Sequence, residues 1–266
     1  MSLSVTARVG ELLLAAARSI VVPRFQRLQQ HHIEEKSPGE LVTVVDREVE
    51  ALLAPALAAL APGSRVVGEE ACAADPALLH RLDEGEVWLV DPLDGTGNFI
   101  AGRPLVSMMV ARLQQGEPVA AWMLDPLTGT LHSAERGAGA WIDGRRARVA
   151  DMGAAALRGI VKTRFLPEPL KSEIAGRSGR LRETQAGSNC AGVDYPAIVK
   201  GESDFALYWR TLPWDHAPGT LFLAEAGGHT ARLDGSPYRS ADDRRGLLAA
   251  ASRAAWDSAR AALMDA

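Results

Sequence analysis

The sequence predicts an α/β fold, on three observations. Short apolar, partly β-branched runs alternate with helix-spaced apolar positions through the N-terminal third. Residues 105–148 switch to apolar and alternating strands broken by Gly- and Pro-marked reversals, the pattern of an antiparallel meander. Beyond residue 150 strands and helices mix again, with no repeat, low-complexity tract or linker between them. We expect an N-terminal α+β region over 1–150, carrying most of the acids discussed below, and a C-terminal α/β region over 151–266, the two sharing one cleft.

Val9, Leu12, Leu13, Ala16 and Ile20 recur at helical spacing and predict an amphipathic first helix. Glu11 and Arg18 set this stretch apart from a secretory leader, and no apolar run is long enough to span a bilayer. A polar loop, HHIEEKSPGE, leads to a strand-like LVTVVD and a helix over 46–60. Asp46 stands at that junction, where a plain N-cap and a functional acid both suit the residue type. SRVVGEEA predicts a strand ending in Gly68, Glu69 and Glu70. EVWLVDPLDGT predicts another, in which Pro92 halts a central strand and leaves Asp91 and Asp94 in a turn closed by Gly95 and Thr96. Strand-like segments therefore end repeatedly in acids, and α/β folds commonly gather a site from several strand ends.

Within the meander, reversals fall at 115–118, 127–129 and 143–144. DPLTGT at 125–130 mimics DPLDGT without its second acid and reads as a hairpin turn. Downstream, RGIVKTRF, SDFALYW, HTARL and RGLLAAAS predict strands, and NCAGVDYPAIVKG predicts a helix ended by Gly201. Asp215 begins a further helix, with Pro218 in its first turn and Gly227-Gly228 at its end, and a last helix covers 254–265.

The 266 residues, 47% hydrophobic and 23% charged, fit a soluble globular protein. A net charge of −4 offers no broad cationic surface for nucleic acid or anionic lipid, and GRRAR at 144–148 and Arg244-Arg245 read as solvated turn charges. Cys72 and Cys190 lie far apart, without CxxC or zinc-like spacing, which suits a reducing, cytoplasmic compartment. The scattered histidines offer no rival metal site, and Trp88 and Trp214 flank the acids as core anchors or as shields.

The chemistry concentrates in WLVDPLDGT. Two carboxylates three residues apart repel and raise a pKa unless a cation lies between them, so a hard divalent ion with oxygen ligands is their natural resident. A solvated Asx-rich turn is the bland alternative.

GEE at 68–70, DPLDGTGNF at 91–99 and WDHAPG at 214–219, with Asp46 upstream, resemble the inositol monophosphatase family of Mg²⁺-dependent, Li⁺-sensitive phosphatases. The resemblance covers essentially the whole chain. It implies a layered αβαβα sandwich of the type shared with fructose bisphosphatase, a homodimer, and hydrolysis of inositol monophosphate or a related sugar or polyol phosphate. It further implies roughly two to three Mg²⁺ ions. Glu69, Asp91 and the Leu93 carbonyl would hold the first, Asp91, Asp94 and Asp215 the second, and Asp46 with Glu69 a third through water. Glu69, Thr96 and Asp46 would then orient and deprotonate the attacking water, while Gly95, Thr96 and Gly97 open a helix whose N–H groups cradle the phosphate. Glu70 is left as a solvated or capping acid.

On the substrate side the resemblance places Asp94, Gly95, Thr96, Cys190, Ala191, Tyr208 and Asp215. Two departures stand out. Asn189-Cys190-Ala191-Gly192 lies where inositol-phosphate hydrolases carry a GTAA-like turn, and Tyr208 lies where they carry an acid that contacts inositol hydroxyls. A phenol cannot accept two hydroxyl bonds as a carboxylate does. Fructose bisphosphatase, bisphosphate nucleotidase and histidinol phosphatase activities share the metal core, and a non-catalytic regulatory scaffold could share the fold. A haloacid-dehalogenase-type phosphatase would need D-x-D where this chain has D-x-x-D.

Overall fold

A computed structural model describes residues 4–150 and 157–265, so the expected boundary after residue 150 falls against residues outside the described ones. The first helix, α1 (Val5–Ala16), is capped by Ser4, whose Oγ accepts from the Ala7 N–H. It continues through a π-helical turn at Ala17–Val21 into α2 (Val22–Arg24). The stretch expected as a polar loop folds instead as a hairpin, β1 (Ile33–Ser37) on β2 (Glu40–Thr43), reversing at Gly39 with φ +78°. Its charged residues disguise it, because a two-stranded ribbon has little apolar face to show.

Helix α3 (Val44–Leu60) starts at a capping box. Thr43 Oγ1 accepts from the Val45 N–H, and Asp46 Oδ2 accepts from the Thr43 N–H at 2.9 Å, so Asp46 is the third helical residue and not the N-cap. Strand β3 (Arg65–Gly68) runs into α4 (Glu69–Ala74). Strand β4 (Glu86–Asp94) passes through Pro92 where the sequence suggests a stop. Its ladder to the next strand slips between Asp91 and Asp94, and this irregularity accommodates a residue with no N–H to donate. A short α5 (Thr96–Ile100) follows.

The meander is as expected: β5 (Ser107–Gln114), β6 (Glu117–Leu124), β7 (Leu131–Glu135), β8 (Gly139–Ile142) and β9 (Arg145–Ala147) pair antiparallel in sequence. Then come β10 (Arg158–Val161), α6 (Leu170–Arg177), β11 (Glu183–Gln185), α7 (Ala191–Val199) and β12 (Phe205–Tyr208). The chain ends with α8 (Pro213–Glu225), β13 (His229–Ala231), β14 (Leu247–Ala250) and α9 (Arg253–Met264). Pro218 lies inside α8, beyond its first turn.

These elements stack as an αβαβα sandwich. One sheet has the order β3-β4-β5-β6-β7-β8-β9, the other β11-β10-β12-β14-β13. Alternation along β5 sends Met108 and Val110 to one face and Met109 to the other. Helices α1 and α3 cover the first face, with Val9, Leu13, Val49 and Leu53 against Trp88 and Trp122. Helices α7 and α8 lie between the sheets: Tyr195, Ile198 and Phe222 pack with Met109 and Met123 of one and with Ala206 and Ala249 of the other. Helices α6 and α9 close the far side through Ile174, Trp256 and Leu263 on Phe205 and Leu248. Trp88 is therefore a core anchor, its Nε1 donating to Ser64 Oγ at 3.1 Å.

The central helix layer has no slack. A Cβ on Gly219 of α8 would lie 2.0 Å from the Tyr195 ring of α7. Gly219→Ala is expected to cost about 1–3 kcal/mol of stability, read as a lower urea midpoint at unchanged slope. An unmoved midpoint would contradict this packing.

Candidate active site

The ends of β3 and β4 meet the starts of α3, α7 and α8, and the acids lie there. Asp91, 2% exposed, turns its Oδ1 to the Leu93 N–H at 2.9 Å. Asp94, where the β4 ladder resumes, takes the Gly192 N–H on Oδ2 at 2.8 Å, which ties the strand end to α7. Gly192 has no alternative, because a Cβ would stand 2.4 Å from Ser107. Gly95 turns the chain at φ +85°, with the Leu105 carbonyl 2.7 Å from any Cβ placed there. Thr96 Oγ1 stands 3.0 Å from both Asp46 Oδ1 and the Leu93 carbonyl. Asn98 fastens this turn by donating to the Leu105 and Ser188 carbonyls. Asp215 enters from the first turn of α8.

The same cleft, about 450 Å³, is lined by Glu69, Asp91, Leu93, Asp94, Thr96 and Asp215 among others. Burial pushes the Asp46 carboxyl up to about 6, against hydrogen bonds from Thr43 and Thr96. Burial and then the Asp94 charge push Asp215 up to about 7, against Arg210 and Lys162. Asp91 is raised as well, by burial and then by the charges of Glu69, Asp94 and Asp215. These are hard oxygen donors under mutual repulsion, which is the donor chemistry a divalent ion meets. Among the described residues no three His, Cys, Asp or Glu side chains are drawn into a finished ion cage. Glu69 is engaged by a protein cation instead.

That cation is Lys36, which sequence reasoning missed. It projects from β1 with Nζ 2.6 Å from Glu69 Oε1 and 2.7 Å from Glu70 Oε1. Burial opposes its charge, but the two carboxylates hold its ammonium above the ordinary lysine range. Glu70 is thus an ion-pair partner, not a solvated or capping acid. The first-turn N–H groups of α4 are met from α3 by Glu50, whose carboxylate accepts from Glu70 and Ala71 at 2.9 and 2.8 Å.

On the substrate side, Ala191 and Tyr208 line the cleft. Cys190 is buried beneath it, with Sγ 3.5 Å from the Asp94 carbonyl and its thiol pKa pushed well up by burial. Tyr208 stacks on Tyr195 and meets His216 edge-on, and the Nδ1 of His216 lies 3.0 Å from the Tyr195 hydroxyl. Lys162 reaches the cleft from the end of β10, paired with Asp194 at 2.7 Å. The signal for that pair was a lone acid in the otherwise apolar helix AGVDYPAIV.

Fold and cleft together define a class, the metal-dependent phosphomonoesterases built on a layered α/β sandwich. Within it, the chain belongs to the inositol monophosphatase family, whose model matches residues 3–265. The inositol-1-monophosphatase of Mesorhizobium japonicum is 34% identical over 223 residues, covering 79% of each chain. The Nus factor SuhB of Xylella fastidiosa is 29% identical over 242 residues, covering 88% of this chain and 85% of its own. Among solved structures, the extragenic suppressor protein suhB from Bartonella henselae superposes with TM-score 0.83 at 25% identity over 98% of each chain. SaIMPase-II with inositol monophosphate bound gives TM-score 0.80 at 21% identity, over 98% of this chain and 94% of its own, a likeness of fold.

The raised acids set a pH dependence. Asp46 and Asp215 bind protons more tightly folded than unfolded, so their contribution to stability is full below about pH 4 and is lost as pH rises through about 6 to 7. In chelator, the melting temperature is expected to fall from about pH 5 to about pH 8, and millimolar divalent cation is expected to raise it more at the higher pH. A melting temperature indifferent to the cation at both pH values would contradict the site.

Proposed function

We propose that this protein hydrolyses a small sugar or polyol phosphate monoester with Mg²⁺ as cofactor and water as the direct nucleophile. The convergence of Glu69, Asp91, Asp94, Thr96 and Asp215 on one cleft carries the reading. Glu69, Asp91, the Leu93 carbonyl, Asp94 and Asp215 would hold Mg²⁺, which supplies positive charge against the phosphate oxygens and acidifies water.

The chain's own groups do the rest. Thr96 has one proton, spent on Asp46 or on the Leu93 carbonyl, so its remaining lone pairs can accept from the attacking water and aim it. Asp46, with a carboxyl pKa near 6, is suited to receive a proton relayed through that hydroxyl, and Glu69 to take one directly. The N–H groups of Gly95, Thr96 and Gly97, on a glycine-turned segment, can face the phosphate. No covalent intermediate is required of any side chain.

The family pattern supports a cytoplasmic homodimer, and no helix among the described residues is long and apolar enough to cross a membrane. Relatives called Nus factor SuhB favour a second reading, a regulatory scaffold on the same fold. Turnover separates the two.

Phosphate release is expected to need Mg²⁺, to stop in chelator and to be inhibited by Li⁺. Asp91→Asn and Asp94→Asn should each lower kcat by about a hundredfold or more, and Thr96→Val should do likewise with partial recovery in Thr96→Ser. Full activity in chelator, or in Asp94→Asn, would overturn the mechanism.

A further inference from the structure

The cleft has a second charge pattern that the hydrolytic step leaves unused. Its floor is acidic, but the wall formed after β10 and β12 carries Lys162, Arg164 and Arg210. Those strands are parallel neighbours, so their outgoing ends lie side by side. The acids near this wall are already committed. Asp194, 1% exposed, is paired with Lys162, and Glu40 of β2 is paired with Arg210. Tyr208 stands where a hydroxyl-reading acid would, with its ring 5.0 Å from Lys162 Nζ.

Arg164 is held differently. Its Nη2 donates to the Gly39 carbonyl at 2.8 Å, and its guanidinium lies 5.0 Å from the centroid of Phe165, a ring that also carries Arg210 at 4.4 Å. Among the described residues no carboxylate pairs with it. A carbonyl and a ring orient a guanidinium without neutralising it, and its other N–H donors stay available for a planar anion. The wall therefore offers donors and no uncommitted carboxylate. A polyol's hydroxyls need acceptors as well as donors, whereas a carboxylate or phosphate needs donors alone.

We propose that the substrate's leaving group carries a second anion, a carboxylate or a second phosphate, bound by Arg164 with Lys162 behind it. This rests on the phosphatase reading of the acidic floor. The anion's place is the wall, away from the phosphate that is cleaved, so the ester is read at both ends.

The test uses the full chain with Mg²⁺ on matched pairs of substrates. Glycerol phosphate is compared with phosphoglycerate, which adds a carboxylate, and a hexose monophosphate with the corresponding hexose bisphosphate. At least about a tenfold higher kcat/KM for one member bearing the second anion is expected, and the pair that shows it identifies the anion. Arg164→Gln, at an exposed position, should remove most of that preference, chiefly through KM, and Arg164→Lys should restore part of it. Equal or faster turnover of both members that lack the second anion overturns the proposal and leaves the phosphatase reading standing. A preference that survives Arg164→Gln overturns the assignment to Arg164. Silence on all four substrates overturns the phosphatase reading, and this inference with it.

Discussion

Several carboxylates gathered out of water, from the ends of β3 and β4 and the starts of α3 and α8, repel one another, and the surrounding structure is arranged around that repulsion. Asp91 and Asp94 are each given a backbone N–H, Asp46 is given Thr43 and Thr96, and Glu69 is given Lys36. None of these donors cancels a full charge except the lysine. What is left is a standing demand for cations, and a phosphate dianion can approach only once that demand is met.

The layered fold meets part of the demand with helix ends. Asp46, Glu69 and Asp215 each lie in the first turn of a helix, α3, α4 and α8, where free N–H groups and the helix dipole favour negative charge. The strands supply rigidity: β4 is buried along nearly its whole length, so its outgoing acids cannot drift apart to relieve their repulsion. The two irregular points, Pro92 within the strand and Gly95 in its left-handed turn, aim the Leu93 carbonyl and Thr96 toward the same spot. Lys162, Arg164 and Arg210 bring the opposite charge to the same cleft.

Much of this was legible in the sequence because it depends on local pattern. The meander announced itself through turns, and the acids of GEE, DPLDGT and WD stand at strand ends or helix starts that periodicity locates. What stayed hidden depends on pairing across the fold. Lys36 sits in a charged stretch that looks solvated until β1 pairs with β2 and carries it to Glu69, 33 positions away. Glu50 reads as one more helix acid until α4 begins above it. Asp46 was visible, but its capping box begins at Thr43, inside what looked like a strand. Cys190 matched a substrate-side position by order alone, and packing put it under the cleft.

The proposed Mg²⁺ site requires the ion to take the place of Lys36 at Glu69. Anomalous diffraction from crystals soaked in Mn²⁺ tests it most directly. A peak is expected among Glu69, Asp91 and the Leu93 carbonyl, with Lys36 Nζ moved off Glu69. Crystals that show no peak among these groups, with the Lys36 pair intact at saturating Mn²⁺, would contradict it.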